Sequence, residues 1–401
     1  MAAGLGPGTA SPAANDERRP PARLAALAAA VAGLNPGAFA YVMATGIVST
    51  ALAAEGAHAA SALLLVLALA GYALLLAAYA WRLVRWRRRF LADVVGAGGF
   101  AFLTSAAAPD VLAARLALDR HTALAAGLLA VGVTAWVLLG YGVPLGMISA
   151  AARRPPSLDQ VNGTWFVWGV GTESVAVAAA TLSPHVLGDG LAALASVCWA
   201  IGLLQYLLTA GLVLARLLLR PLAPAGLAPP YWIFMGAAAI TVLAGARLLG
   251  LPAGATPLPR PAVAALCFVL WSFCTWLIPL LLALGAWRHL LRRVPLRYET
   301  GLWGMVFPIG MYGVATRELG NATGTSWLTS LGSAEGWPAA ALWSAVFLLM
   351  LAAAPRALRP PTHPGPSPEP PGSPGPEAPP RPPGSPEAPA SPGPGGCAPP
   401  T

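Results

Sequence analysis

Glu173 stands in the middle of the apolar run "FVWGVGTESVAV", flanked by Thr172 and Ser174, with Thr164 about two turns earlier. Inside a bilayer a carboxylate costs at least ~2.5–3.5 kcal/mol, so it must carry a proton, find a cation or face water. Two roles follow: a proton-coupling site that loads a proton together with an anion, or a structural partner for Arg247 or Arg317 near neighbouring helix ends. A second cluster lies in "FAYVMATGIVST", where Thr45 and Ser49 are four apart and share a helix face beside Gly46. The third is "GLWGMVFPIGMYGVAT", where Pro308 removes a backbone hydrogen bond next to Phe307 and should kink its helix. Hydroxyls, exposed backbone dipoles and few charges suit a small anion, which must be held weakly enough to leave again. Hydrolytic, nucleotide-binding and metalloprotease signatures (HExxH, GxSxG, P-loop, GxGxxG after a soluble strand) are absent, so neither catalysis nor a cofactor or metal is expected.

The elements that must hold these residues are membrane helices. The chain has 401 residues, 57% hydrophobic and 10% charged, whereas soluble domains carry about 25% charged residues. Its net charge of +9 comes from arginine alone, in short runs between apolar segments; that is a topology signal rather than a nucleic-acid surface. Ten apolar stretches of bilayer length run approximately over 36–54, 60–81, 93–109, 122–149, 163–182, 190–215, 231–249, 262–287, 301–319 and 337–354. Glu173 is the only acidic residue deep inside any of them; Asp93 and Glu318 fall at their ends. Counting both termini and the connections after spans two, four, six and eight, one side carries 19 of the 24 arginines. The positive-inside rule puts that side, with both termini, in the cytoplasm of a multi-pass inner or plasma membrane protein. Cys198, Cys267 and Cys274 sit in apolar runs and form no disulfide or zinc pattern.

The odd spans resemble one another. Each places Phe beside small or helix-bending residues: Phe39, Phe100, Phe166, Phe234 and Phe307, spaced by 61, 66, 68 and 73 residues. That interval fits one helical hairpin per repeat. The even spans, such as "LLLVLALAGYALLLAAYAW", are Leu-rich and suited to lipid. The expectation is an all-α membrane protein of five hairpins, with an inner ring of small-residue helices inside an outer ring. Small residues also let helices pack closely without any pore. Spans one, five and nine carry polar residues as well, and irregular backbone at membrane depth is tolerated where it is buried or lines a cavity. The expected path is therefore lined by Phe39, Thr45, Gly46, Ser49, Phe166, Thr172, Glu173, Phe234 and Pro308. Three regions result: a disordered or interfacial segment 1–32, the membrane domain 33–354, and a tail 355–401 with 20 prolines in 47 positions that cannot bury a core.

"NPGAFAYVMATGIVS", "VNGTWFVWGVGTESVAV", "PPYWIFMGAAA" and "GLWGMVFPIGMYGVAT" resemble the tellurite-resistance/dicarboxylate transporter family, which includes TehA, fungal malate permeases and plant slow anion channels. The resemblance covers residues 33–354. It implies ten helices in five hairpins around a quasi-fivefold pore, a homotrimer with one pore per subunit, and transport of C4-dicarboxylates such as malate, or of tellurite- or sulfite-type oxyanions. It also implies a phenylalanine plug on span nine, whose best match is Phe307; a core-packing role is the alternative. A passive Phe-gated anion channel stands beside a proton-linked transporter as the second transport reading. An intramembrane enzyme or a scaffold presenting its Pro-rich tail is the remaining class.

Overall fold

The structure is a computed structural model, and it describes residues 22–151, 157–186 and 188–357. The interval preceding Ala22 and the Pro-rich tail after Ala357, with their expected disorder and partner binding, lie outside the described residues.

Short α1 (Ala22–Ala32) leads into α2 (Ala40–Ala54), which turns back into α3 (His58–Arg85). After the short α4 (Arg87–Val94) come three hairpins: α5 (Thr104–Leu118) with α6 (Thr122–Ala150), α7 (Val167–Leu182) with α8 (Gly190–Leu219), and α9 (Ile233–Leu249) with α10 (Arg260–Ala286). The last inner helix, α11 (Trp303–Thr323), returns through the short α12 (Ser326–Ala334) to α13 (Gly336–Ala357). The entire described chain between turns is helical, as lipid demands of a spanning segment. Eight of the helical segments are long and apolar enough to cross a membrane. α2, at 15 residues, is only about 22 Å long, and α11 is not among the eight because its sequence is more polar.

Two classes of helix separate by burial. The spanning windows that contain α5, α7 and α9 are between 83% and 89% buried, whereas those of α3, α6, α8, α10 and α13 are between 17% and 33%. The sequence explains the split: Gly, Ala, Ser and Thr fill the first class and let backbones approach, while Leu on all sides suits the second to hydrocarbon. Exposed Leu74, Leu138, Leu208 and Leu282 belong to this outer surface. α2 packs on α5, α5 on α7, α7 on α9, α9 on α11 and α11 on α2, so the five inner helices close a ring. Each outer helix lies against its own hairpin partner.

Tight 3-10 turns (Gly99–Leu103, Gly163–Phe166, Pro229–Trp232 and Thr300–Leu302) precede α5, α7, α9 and α11. They occupy the first turn of helices whose caps carry no side-chain hydrogen bond.

Two boundaries differ from the sequence expectation. The third span runs over Gly99–Leu118 rather than 93–109, because Pro109 lies inside α5 instead of ending it. Buried neighbours tolerate such a proline at membrane depth. The segment before the tenth span, read as a loop, contains α12.

Candidate functional site

One face of each inner helix meets at the ring's centre. α2 contributes Ile47 and Thr50, and α5 contributes Asp110, Val111 and Ala114. α7 supplies Ser174, Val177 and Thr181; α9 supplies Ile240, Leu243 and Arg247; α11 supplies Met311 and Val314. On α2, α7, α9 and α11 the spacing is three, four or seven, the repeat that keeps side chains on one face, while on α5 Asp110 and Val111 are adjacent and Ala114 follows one turn on. The enclosed space is about 20 Å3, room for roughly one water-sized sphere. Its wall is mostly aliphatic. The hydroxyls of Thr50 and Thr181 donate to their own helices, to Gly46 O at 3.1 Å and Val177 O at 2.7 Å. Few donors remain free for an anion, so it would be held weakly.

The cavity leads toward a mouth of about 310 Å3 at the C-terminal ends of α2, α5, α9 and α11. Three arginines converge there, each with its own carboxylate: Arg115 with Asp119 at 2.7 Å, Arg247 with Glu318 at 3.3 Å, and Arg317 with Glu55 at 2.6 Å. Arg115 also donates from Nε to Ser49 Oγ at 3.2 Å and from Nη2 to Ser61 Oγ at 3.0 Å. The two serines cross-bond, Ser49 Oγ to Ser61 O at 2.8 Å and Ser61 Oγ to Ser49 O at 2.7 Å. This ties α2, α3 and α5 together just beneath the mouth.

None of the residues selected from the sequence as lining the path lies in this cavity wall. Thr45 donates to Tyr41 O at 2.7 Å and accepts from Trp343 Nε1 of α13 at 3.0 Å. Thr172 accepts from Trp136 Nε1 of α6 at 2.8 Å and donates to Gln205 Oε1 of α8 at 2.6 Å. Both hydroxyls face outer helices. They belong to a repeated latch in which a tryptophan of one outer helix reaches the next inner helix. Trp271 Nε1 donates to Thr316 Oγ1 at 2.9 Å, and Trp199 Nε1 to Thr241 O at 3.0 Å. Gly46 lies where a Cβ would come within 2.9 Å of Val111 Cγ1, so it serves α2–α5 contact. Pro308 packs against Gly236 of α9.

Four of the five repeat phenylalanines are anchored by other rings. Phe39 packs on Tyr72 and Tyr79, Phe100 on Trp165 and Trp168, and Phe166 stacks on Phe234 with centroids 4.8 Å apart. Among the described residues Phe307 has no aromatic neighbour, although it is 97% buried (3% exposed). It lies four residues before Met311, so the same face of α11 carries it one turn deeper than the cavity.

Glu173 is 1% exposed, and among the described residues neither carboxyl oxygen has a hydrogen-bond partner. The pairing with Arg247 or Arg317, one of the two roles read from the sequence, is overturned, since those arginines are held by Glu318 and Glu55. Its carboxyl lies instead against Gly202 of α8, where a Cβ would come within 2.6 Å of Glu173 Cδ. Nor is Glu173 the sole deep acid: Asp110 is fully buried on α5, and it faces the cavity. The sequence signal for Asp110 was an acid immediately after an in-helix proline, hidden by ending the span one residue too early.

Comparison with known proteins shows the family of this chain. An uncharacterized membrane protein of Mycobacterium tuberculosis H37Rv, Rv1735c, is 50% identical over 147 residues, which is 36% of this chain and 75% of that protein. An uncharacterized transporter of Methanocaldococcus jannaschii, MJ0762, is 26% identical over 222 residues, covering 53% of this chain and 63% of its own length. Residues 33–351, which include all five ring helices, match the voltage-dependent anion channel family known as SLAC1, and the chain belongs to that family of anion channels and transporters.

Proposed function

We propose that this chain carries small anions across the inner or plasma membrane through the centre of its helix ring. The substrates that fit best are C4-dicarboxylates such as malate, or tellurite- and sulfite-type oxyanions. In this reading ten helices, arranged as five hairpins with quasi-fivefold symmetry, surround one pore per subunit of a homotrimer. Both termini are cytoplasmic, with residues 33–354 as the transport domain between an N-terminal segment and a C-terminal tail. The single observation that carries the proposal is the narrow central space, walled by one face of each inner helix and opening on a mouth with three arginines. The three arginines offer guanidinium donors to an anion at the mouth, and pairing of each with a carboxylate, which leaves the mouth formally neutral, keeps an anion from being trapped. The few arginines of the loops on that side support a mouth that faces away from the cytoplasm under the positive-inside rule.

Passive conduction gated by Phe307 is the second reading. It is favoured by the position of Phe307 one turn beneath the cavity without an aromatic anchor. The wall residues form an aliphatic constriction of the kind that gates by dewetting. Purified protein in liposomes, assayed for flux of chloride, nitrate, malate, sulfite and tellurite with and without an imposed pH gradient, tests both. Anion flux absent from protein-free vesicles is the expected result, and a gradient-driven uphill component selects the transporter. No flux of any of the five would remove the transport proposal.

A further inference from the structure

We infer that Arg247 is the residue that selects the substrate: its guanidinium takes anions presenting two oxygens on one atom, carboxylates and oxyanions, ahead of halides, and Glu318 competes them off again. The inference rests on the anion path proposed above and adds the chemistry that its substrate must have. α9 brings Ile240, Leu243 and Arg247 to one face, spaced three and four apart. Arg247 lies in the last turn of α9. It lines the narrow central space, the mouth of about 310 Å3, and an adjoining space of about 390 Å3 beside Thr181, His185 and Asn321. Among the described residues no other charged side chain borders all three. An anion passing between mouth and centre therefore meets this guanidinium.

The three arginines of the mouth differ in what they have left to give. Arg115 has each of its nitrogens engaged, Nε with Ser49, Nη2 with Ser61 and Nη1 with Asp119. Arg317 donates from Nη1 to Glu55 Oε1 at 2.6 Å, joining the last inner helix to the first, and does not line the central space. Arg247 is held more loosely than either. Its Nη2 is 3.3 Å from Glu318 Oε1, the longest of the three pairs, and its Nε is buried with no acceptor among the described residues. Nε and Nη2 of a guanidinium point the same way and form the fork that grips both oxygens of one carboxylate. Glu318 fills half of that fork. A buried donor without an acceptor is costly, and an anion with a second oxygen supplies what Glu318 leaves out.

Selection follows from the shape of the fork. Nitrate and chloride carry the same charge, but chloride brings a single acceptor, whereas an oxyanion gives each N–H its own oxygen. Lysine at this position would keep the charge and lose the fork. Release follows from Glu318. It carries the same chemical group as a carboxylate substrate and is fixed on α11 beside the site. It yields Nη2 to the arriving anion and takes it back as the anion leaves, so binding stays weak enough for passage. One hydrogen bond to a charged group is worth roughly ten-fold in affinity or more, and that factor is what the second oxygen contributes.

The test is concentration-dependent flux of malate, nitrate and chloride through proteoliposomes at one fixed pH, comparing wild type, Arg247→Lys and Glu318→Gln. Arg247→Lys should lower the malate-to-chloride and nitrate-to-chloride flux ratios by about ten-fold. Glu318→Gln removes the competing carboxylate, so the half-saturating malate concentration should fall several-fold and the maximal rate should fall with it. A purely structural ion pair would instead lower the melting temperature of Glu318→Gln and leave half-saturation where it was. Should Arg247→Lys fail to fold, the Glu318→Gln saturation curve gives the answer. Unchanged ratios in Arg247→Lys, an unmoved half-saturation in Glu318→Gln, or a wild type that carries chloride but neither malate nor nitrate overturns the inference while leaving anion transport standing. Absence of flux for every anion overturns both.

Discussion

A buried carboxyl without a partner and one with a cation respond oppositely to being made neutral, and Glu173 is of the first kind. Removing one member of a buried ion pair costs about 3–5 kcal/mol. Both oxygens of Glu173 lack partners and the arginines once expected to hold it are engaged elsewhere. Glu173→Gln should therefore leave the melting temperature of the detergent-solubilised protein unchanged or raised. A fall of several degrees would show a partner that the structure does not contain. Phe307 makes the opposite kind of prediction, because it is buried without an aromatic partner and lies beneath the constriction. Phe307→Ala should raise single-channel anion conductance or basal flux several-fold at fixed driving force. Truncating a packed core phenylalanine instead costs ~3–5 kcal/mol of stability with no gain in flux. Thermal melts and bilayer recordings on the same preparation separate these outcomes.

At the scale of the helix, the latches between outer and inner elements should carry much of the ring's precision. Trp136, Trp199, Trp271 and Trp343 each donate an indole N–H to the next inner helix. Trp271→Phe keeps most of the ring volume but leaves buried Thr316 with only its own bond to Tyr312 O at 2.6 Å. Loss of one such hydrogen bond should destabilise the fold by about 1–2 kcal/mol, measurable as a lowered melting temperature, with anion selectivity retained. The split into buried and lipid-facing helices was legible in the sequence because Leu-rich and Gly/Ala-rich spans alternate, and lipid and protein select those compositions. The facing of each inner helix was not. An inner helix is buried on its pore face and its outer face alike, so the apolar pattern has no phase to read. Thr45, Ser49 and Thr172 are as polar as Thr50 and Ser174, and only packing shows that the first three turn outward. Asp110 was lost for a related reason: Pro109 reads as a stop signal in soluble helices, but in α5 it lies inside a continuous span.

For the molecule as a whole, the arginine distribution and the ring closure express one arrangement. Long basic connections lie at one end, while the five arginines of the other side include the three that line the mouth. Those three matter less as topology than as part of the path, a distinction that counting charges along the sequence does not make. The central claim is that anions cross through the cavity walled by α2, α5, α7, α9 and α11, and not between subunits or along the lipid face. Ala114 lines that cavity one turn beyond Asp110; of the four native cysteines, Cys198, Cys267 and Cys274 are buried and Cys397 lies outside the described residues. The direct measurement is chloride flux through Ala114→Cys proteoliposomes before and after a methanethiosulfonate reagent, with labelling confirmed by mass and the unsubstituted protein treated in parallel. The account predicts that labelling at position 114 abolishes flux while the parallel sample is unaffected; full flux through a fully labelled protein would contradict it.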